Sequence, residues 1–314
     1  MSSETLKLTA ATIKKMQAQY DAYLVKPVPY SKFRAQKNGI TITAYTSGKV
    51  LFQGQNIESE VSQWRQESKN SPSAKASDKA TKKVDAQLPQ GFENLTIIGS
   101  DEVGNGSYFG ALTVCAVYLP KEQIPLIKEL GVKDSKMLSD AQIRELAWQI
   151  KATVPYHLTN CSPAKYNEAN ETRNANAIKV SLHNFTLQKL LAKLNETHKN
   201  KLEGILIDQF TPPNNYYKHL KNEDNPYKGE IYFAQKGESK HLAVACASII
   251  ARDAFLESLE TLGKPYGLVL PSGAGVKSDQ VAMRLINRYG TSILHQTAKL
   301  HFANTQKALK LAGK

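Results

Sequence analysis

The chain has 314 residues, and its 41 Lys and Arg against 28 Asp and Glu give a formal net charge of +13 at pH 7. This length predicts two domains with a large core, and the positive excess favours a polyanionic partner, nucleic acid before membrane, although general solubility would also account for it. Three widely spaced cysteines without a Cys-x-x-Cys pair argue against a disulfide framework or a zinc knuckle, and the sequence contains neither a signal-peptide core nor an apolar run of membrane-spanning length. We therefore expect a cytosolic protein.

Residues 1–65 are predicted to form a small domain of two helices and an antiparallel hairpin. Apolar residues at helical spacing between Ile13 and Leu24 predict the first helix, and Ile57, Val61 and Trp64 predict the second. Strands are expected at 39–45 and 49–53, joined by a Ser-Gly turn. Cationic and aromatic side chains on or near these strands would suit a nucleic-acid backbone, although scattered surface lysines would look similar: Lys32, Arg34, Lys37, Tyr45, Lys49 and Phe52.

Residues 66–90 are predicted to be a flexible linker. The segment is rich in Ser, Ala and Lys and contains no aromatic residue. Its lysines could touch phosphate loosely, but keeping the linker solvated is the simpler reason for them.

Residues 91–314 alternate between strand and helix patterns. Apolar runs at 95–98 and 112–118 predict two core strands, and further strands are expected at 154–158, 204–208 and 231–234. Helices are expected after Ser139, over 174–198, from 236–241 through the following apolar run, and in pieces over 276–311. This alternation predicts an α/β core with a mixed central sheet.

Acidic residues stand where several of these elements begin or end. Asp101 and Glu102 end the first core strand, Asp208 ends another, and Glu238 is expected to open the buried helix. Strand ends at one edge of an α/β sheet are where sites collect, and two carboxylates about 4 Å apart repel by on the order of 4 kcal/mol at an effective dielectric of 20. Mg²⁺ or Mn²⁺ would relieve this repulsion. Carboxylates bridging two such ions support phosphodiester hydrolysis, so a basic protein with this set is most simply a nuclease.

Several motifs in order along the chain resemble bacterial ribonuclease HIII, a member of the type 2 ribonuclease H family. The resemblance rests on GSDEVG at 99–104, VKDSK at 132–136, IDQF at 207–210, the run from Glu238 to Asp253, LP with GAG at 270–275, and HFANT at 301–305. It implies a ribonuclease H-like fold with C-terminal helices that cuts the RNA strand of RNA–DNA hybrids as a monomer. It also implies an N-terminal domain similar to half of TATA-binding protein, which would grip the hybrid.

The same resemblance implies a set of site residues. The catalytic and metal-binding set of the family falls on Asp101, Glu102, Asp208 and Glu238, which would hold Mg²⁺ or Mn²⁺, two ions being expected. The glycine loop Gly104-Asn105-Gly106 falls where related enzymes contact ribose 2′-hydroxyls. Further substrate contacts are expected from Lys133, Ser135, Lys136 and Asn174, although capping of the long helix would account for Asn174 and its neighbours Asn170 and Asn176 nearly as well.

The chain departs from the family pattern at three positions: Ser107 stands where Asp is common, Ala111 where Pro is common, and Ser278 where Val is common. These loop positions bear on rate and substrate fit. His241 is expected to be a surface or supporting group. Asp253 lies about 22 Å beyond Glu238 along a helix that rises 1.5 Å per residue, so both cannot reach one ion and Asp253 is expected to be structural.

Two alternative functions remain. The first is ribonuclease HII activity, which also cuts at single ribonucleotides within DNA; the N-terminal module and the presence of Glu at position 238 argue against it. The second is a catalytically silent nucleic-acid-binding protein. Such a protein would be expected to lack one or more of the four acids, and all four are present.

Overall fold

The computed structural model describes residues 2–27, 31–46, 48–69, 88–132 and 134–314. The chain divides into two compact units, residues 1–84 and 85–314. Of the segment expected to be a linker, residues 66–69 complete a helix and 88–90 lead into the second unit, while 70–87 lie outside the described residues. In the described ranges, no helix is both long and apolar enough to cross a bilayer.

The first unit is a four-stranded antiparallel sheet with two helices. The strands β1 (Ser2–Lys7), β2 (Ser31–Lys37), β3 (Ile40–Tyr45) and β4 (Lys49–Gly54) are arranged in the order β1-β4-β3-β2, and the helices are α1 (Ala10–Gln19) and α2 (Glu58–Lys69). The expected helices and the hairpin β3–β4 are confirmed. The strands β1 and β2 were not expected, because both are polar edge strands without an apolar run.

The helices pack against one face of this sheet. Phe52, which we had placed among the nucleic-acid-facing aromatics, is fully buried with Ile13, Met16 and Trp64 in the core of the unit, so that expectation was wrong. Strand alternation points Phe52 to the helical side, whereas its neighbours in the strand point to the other side.

Two of the expected cations lie on the sheet face that the helices leave open. Arg34 and Lys49 are on that face, since they alternate with core residues along β2 and β4. Lys37 is instead ion-paired with the buried Glu60, with 2.8 Å between Nζ and Oε1. The open face therefore carries basic side chains, without the aromatic contribution of Phe52.

The second unit contains a mixed five-stranded sheet, as expected. The strand order is β7-β6-β5-β8-β9, in which β5, β6 and β7 are antiparallel and β8 and β9 run parallel to β5. The strands are β5 (Ile97–Val103), β6 (Leu112–Leu119), β7 (Tyr156–Cys161), β8 (Gly204–Asp208) and β9 (Tyr232–Ala234).

Helices cover both faces of this sheet and one end of it. They are α3 (Ile124–Glu129), α4 (Asp140–Thr153), α5 (Pro163–Asn170), α6 (Ala175–Lys193), α7 (Glu196–Lys201), α8 (Pro213–Leu220), α9 (Leu242–Gly263), α10 (Val276–Tyr289), α11 (Ile293–Thr297) and α12 (Asn304–Leu311). Core residues of α4 and α9 pack on one face of the sheet, and those of α6 and α8 pack on the other. The last three helices enclose a further apolar cluster with Tyr108 and Phe109.

Two helix boundaries differ from those expected. The helix expected over 174–198 breaks after Lys193, and Asn195 caps a separate helix α7. The helix expected to begin at 236–241 begins only at Leu242, because His241 is its N-cap and residues 237–239 form a single 3₁₀ turn. Glu238 therefore lies in a turn before the helix, not within it.

The helix α9 lies directly against β5, and Gly99 makes this close contact possible. A Cβ atom at position 99 would lie only 2.3 Å from the Val244 backbone nitrogen, a separation that no side chain tolerates. The contact places the first turns of α9 beside the carboxyl end of β5, where Asp101 and Glu102 lie.

Candidate active site

The four acids predicted to bind metal line one cavity of about 420 Å³ at the carboxyl ends of the central strands. Asp101 and Glu102 are among the last three residues of β5, and Asp208 is the final residue of β8. Glu238 comes from the 3₁₀ turn that follows β9. Because β5, β8 and β9 are parallel, their carboxyl ends meet at one edge of the sheet, and the acids meet there with them.

Asp101 and Glu102 point to opposite faces of the sheet, because successive side chains of a strand alternate. Asp101 faces α9 and is only 8% exposed. Burial raises the pKa of its carboxyl well above the usual range, and the neighbouring charges of Glu102 and Asp208 raise it further, against a smaller opposing effect of a hydrogen bond from Ser248. A group in this position gains from a cation more than an exposed carboxylate would.

Asp208 and Glu238 are joined through the backbone of the turn between them. The Gly237 N–H donates to Asp208 Oδ1 at 2.7 Å, which brings the turn that carries Glu238 against the end of β8. Burial raises the pKa of Asp208, this hydrogen bond lowers it, and the charges of Glu238 and Glu102 raise it. The net direction is upward, so two of the four acids carry a cost when ionised in the absence of a cation.

Glu102 faces α6, where two side chains of that helix contact it. His183 Nε2 lies 3.0 Å from Glu102 Oε2, and Lys179 Nζ lies 3.3 Å from Oε1. Both partners were missed by the sequence reasoning. The available signal was a Lys and a His four residues apart in a helix that also buries Ile178, Val180, Leu187 and Leu190.

The glycine loop occupies the rim of the same cavity. Gly104 has φ +96°, and a Cβ atom there would lie 2.2 Å from the Ala111 carbonyl oxygen, so only glycine fits. Asn105 and Gly106 are exposed, and among the described residues no atom other than those of the two chain neighbours lies within 4 Å of a Cβ built on Gly106. The loop thus presents bare backbone to the cavity.

Ser107 ties this loop to a second one. Its hydroxyl donates to the Phe109 carbonyl at 2.9 Å and accepts from the Gly273 N–H at 3.0 Å. The second loop places Ser272 at the cavity wall. Ser107, which stands where the family commonly has Asp, therefore links the two loops through its hydroxyl group.

The other expected substrate contacts fall in different places. Lys136 lines the cavity, is largely exposed, and has its Nζ 3.9 Å from Glu238 Oε1. Ser135 also lines the cavity, but it is buried and its hydroxyl is 2.9 Å from that of Ser248. Asn174 is exposed and caps α6 by accepting from the Ala177 N–H, so the capping role that the sequence left open is present. Lys133 lies outside the described residues.

The two residues expected not to be ligands lie outside the set of residues lining this cavity. Asp253 is ion-paired with Lys151, with 2.8 Å between Oδ2 and Nζ. His241 is buried, accepts from the Ala243 N–H through Nδ1 and lies 3.0 Å from the Leu95 carbonyl through Nε2. Burial lowers its pKa to about 4, so it is a neutral cap of α9.

Three polar residues that line the cavity were not predicted: Ser248, Arg252 and Ser272. Ser248 and Arg252 lie four residues apart on α9, so the same face of the helix presents both. The Arg252 guanidinium donates to Asp140 Oδ1 at 2.8 Å and to the Ser135 carbonyl, which fixes the loop that carries Lys136.

The donor set suits a hard divalent cation. Carboxylate oxygens are the preferred ligands of Mg²⁺ and Mn²⁺, and the upward pKa shifts of Asp101 and Asp208 come from like charges and burial that a cation would offset. Within the described residues, no three acidic, His or Cys side chains are arranged tightly enough to enclose an ion as they stand. Glu102 is turned towards its partners on α6, and Asp208 towards Gly237.

Comparison with known families gives two matches that together cover most of the chain. The family described as Ribonuclease HII matches residues 98–305. A second family, Domain of unknown function (DUF3378), matches residues 3–77. The first match contains all four acids and the glycine loop.

Individual relatives are similar over the full chain. Ribonuclease HIII of Enterococcus faecalis is 49% identical over 310 residues, covering 98% of this chain and 99% of the relative. Ribonuclease HIII of Bacillus licheniformis is 45% identical over 317 residues and covers both chains completely. Among solved structures, Bst-RNase HIII in complex with Mn²⁺ is 38% identical with a TM-score of 0.68, covering 99% of each chain.

Proposed function

The chain belongs to the ribonuclease HII family, and we propose that it cuts the RNA strand of RNA–DNA hybrids with Asp101, Glu102, Asp208 and Glu238 as the ligands of its divalent cations. It is a ribonuclease H enzyme whose relatives along the entire chain are ribonucleases HIII. The observation that carries the assignment of the site is the convergence of four carboxylates from three parallel strand ends on one cavity, beside a loop of exposed backbone.

The bound cation supplies charge neutralisation at the scissile phosphate and lowers the pKa of a water molecule. The protein contributes placement. Alternation along β5 sends Asp101 and Glu102 to opposite faces, so together with Asp208 and Glu238 they present oxygens from several directions. Lys136, next to Glu238 and largely exposed, is placed to attract the phosphate backbone of the substrate.

The glycine loop is the part of the site that distinguishes RNA from DNA. Backbone groups of Asn105 and Gly106 can approach a ribose closely, because both residues are exposed and Gly106 has no side chain of its own. A 2′-hydroxyl both donates and accepts hydrogen bonds, so exposed backbone N–H and C=O groups can read it. The tie through Ser107 holds this loop rigid against the loop of Gly273.

Two cations, a monomeric enzyme and action in the cytoplasm complete the proposal. Four carboxylates carry enough charge to hold two divalent ions, the arrangement used for in-line phosphodiester hydrolysis. The three cysteines are buried and unpaired, which fits a reducing compartment. Light scattering of the purified chain is expected to give one mass of 34.7 kDa.

The first unit is proposed to supply affinity for the hybrid. Its open sheet face carries Arg34 and Lys49 among polar side chains, and lysine and arginine on a sheet suit a phosphate backbone. This role is separate from the chemistry, since the four acids all belong to the second unit.

Cleavage of matched labelled duplexes tests the proposed function. We expect hydrolysis of an RNA–DNA hybrid and of a DNA duplex with four consecutive ribonucleotides in Mg²⁺ or Mn²⁺, none in EDTA, and none of all-DNA duplex. A duplex with one ribonucleotide is expected to react much more slowly, because each lost hydrogen bond from the loop costs roughly 1–3 kcal/mol. Equal rates on one and four ribonucleotides would indicate ribonuclease HII activity, and no cleavage in either metal would refute the proposal.

A further inference from the structure

Two buried side chains of α6 contact Glu102, one at each of its carboxylate oxygens. Its Oε2 lies 3.0 Å from His183 Nε2 and its Oε1 lies 3.3 Å from Lys179 Nζ. The side chains of Lys179 and His183 are 5% and 0% exposed, although burying an ammonium group is costly without compensation. Their spacing of four residues places both on one face of the helix.

Further contacts fix these two partners in turn. His183 Nδ1 lies 2.8 Å from Ser100 Oγ, and the ring stacks on Phe210 with 5.2 Å between centroids and 22° between planes. Lys179 Nζ lies 4.1 Å from the centroid of the same Phe210 ring. We refer to Ser100, Lys179, His183 and Phe210 as the Glu102 clamp.

The hydrogen-bond geometry fixes where a proton must be on His183. An unprotonated Nε2 would point its lone pair at the Glu102 carboxylate, so Nε2 carries a proton and donates to Oε2. The ring therefore orients one carboxylate oxygen by a directed bond. Lys179 has no comparable directionality, since an ammonium group acts as a compact charge on a flexible stem.

Two residues of the clamp come from the strand ends that carry Asp101 and Asp208. Ser100 precedes Asp101 in β5, and Phe210 lies two residues after Asp208, so both strand ends that carry acids also contribute to the clamp. A carboxylate oxygen that accepts one hydrogen bond still has a second lone pair. Glu102 can thus be held from the side of α6 and bind a cation from the side of the cavity.

We propose that Lys179 and His183 are positioning residues for Glu102, with His183 fixing the orientation in which the carboxylate binds a cation and Lys179 supplying the balancing positive charge before a cation is bound. This inference rests on the proposed function of the four acids. Groups that hydrogen-bond to metal ligands set the affinity for the metal. A fixed cation beside buried carboxylates reduces their mutual repulsion in the same way that a metal ion does.

Four variants of the full-length protein separate the two roles. His183→Leu removes both ring nitrogens, whereas His183→Gln keeps one N–H donor that can face Glu102. Lys179→Met removes the charge and keeps most of the stem. Lys189→Met is the matched control, because Lys189 lies on the same helix, over the ring of Phe185 at 5.3 Å and away from the acids.

Binding of Mn²⁺ in the absence of substrate is the first measurement, with free Mn²⁺ counted by electron paramagnetic resonance. His183→Leu is expected to raise the Kd for Mn²⁺ by about tenfold or more, and His183→Gln is expected to recover most of that loss. The Mn²⁺ concentration for half-maximal cleavage should rise in parallel, while kcat at saturating Mn²⁺ changes much less. Circular dichroism checks that each variant folds. If His183→Leu does not fold, Ser100→Ala takes its place, because it frees the His183 ring to turn; it must then raise the Kd for Mn²⁺, by less than the rise expected for His183→Leu.

Thermal melting is the second measurement. Lys179→Met is expected to melt at a lower temperature than the wild type in EDTA, and Mn²⁺ is expected to raise its melting temperature by more than it raises that of the wild type. Lys189→Met should match the wild type in both measurements.

Three outcomes would each overturn the proposal. His183→Leu could bind Mn²⁺ with the Kd of the wild type, His183→Gln could have a Kd as high as that of His183→Leu, or Mn²⁺ could raise the melting temperatures of Lys179→Met and wild type equally. If instead the proposed function failed, the wild type would bind no Mn²⁺, or Asp208→Asn would bind it as well as the wild type does.

Discussion

Replacing Asp208 with Asn removes one carboxylate charge from the cavity while keeping its shape. The Asp208 side chain accepts from the Gly237 N–H through Oδ1 at 2.7 Å, and an Asn can offer its carbonyl oxygen at the same place. Burial and the charges of Glu238 and Glu102 raise the pKa of Asp208, so the neutral amide should also relieve repulsion in the metal-free protein. We therefore expect the Asp208→Asn variant to fold and to melt in EDTA at a temperature no lower than the wild type.

The loss of activity can be estimated from the charge removed. Two unit charges about 4 Å apart interact by about 4 kcal/mol at an effective dielectric of 20, which is a lower bound for a carboxylate beside a divalent cation. Since about 1.4 kcal/mol corresponds to a factor of ten in rate, we expect single-turnover cleavage of a hybrid in Mg²⁺ to fall by at least about three orders of magnitude. The assay uses enzyme in excess over a labelled hybrid, so that weaker substrate binding does not mask the effect on the chemical step.

The matched control for this variant is Asp253→Asn, the same change at the acid that pairs with Lys151 outside the cavity lining. It is expected to lose some stability, because it breaks a partly buried ion pair, and to cleave at nearly the wild-type rate. Cleavage by Asp208→Asn at the wild-type rate would remove Asp208 from the proposed site. A folded but inactive Asp253→Asn variant would instead show that the fourth ligand had been assigned wrongly.

Two further predictions concern the first unit and a buried lysine. Removing residues 1–84 should raise the Kd for hybrid and reduce the dependence of this Kd on salt, because fewer counterions are released on binding. Single-turnover cleavage at saturating protein should fall much less. An unchanged dependence of the Kd on salt would contradict the role given to this unit. Lys299 is 1% exposed, donates to the Gly110 carbonyl at 2.6 Å, and has its pKa lowered by burial to about 7. Between pH 7 and the unfolded pKa near 10.4, the unfolded lysine is protonated and the folded one is largely neutral, so stability is lost as pH falls through this range. The free energy of unfolding of the wild type should therefore rise between pH 7 and 10 relative to that of Lys299→Met. Parallel pH profiles of the two proteins would refute this.

The parts of the site that the sequence predicted are those encoded locally. Asp208 at the end of β8 follows a short apolar run whose bounds agree with the strand, and Ser139 with Gln142 forms the capping box that opens α4. Such signals depend on neighbouring residues alone. β5 extends five residues beyond the apolar run Leu95–Ile98, because this extension is paired with β6 on one side up to Val103 and with β8 on the other side up to Ser100.

The parts that the sequence did not predict depend on contacts between distant residues. The Glu102 clamp joins residues 81 positions apart across the sheet, and periodicity can show that a helix face is buried but not which strand it meets. The position of Glu238 was missed for a related reason. The apolar run after it reads as one helix, but His241 caps that helix with its own side chain and leaves Glu238 in the preceding turn.

The position of Mn²⁺ in crystals of the protein is the decisive test of the proposed metal ligands. Anomalous scattering from a Mn²⁺-soaked crystal identifies the ion independently of any assay of activity. We expect the strongest anomalous density inside the cavity, within about 2.5 Å of carboxylate oxygens of Asp101, Glu102, Asp208 or Glu238. Strong density beside Asp253, or none near the ends of β5 and β8 at saturating Mn²⁺, would contradict it.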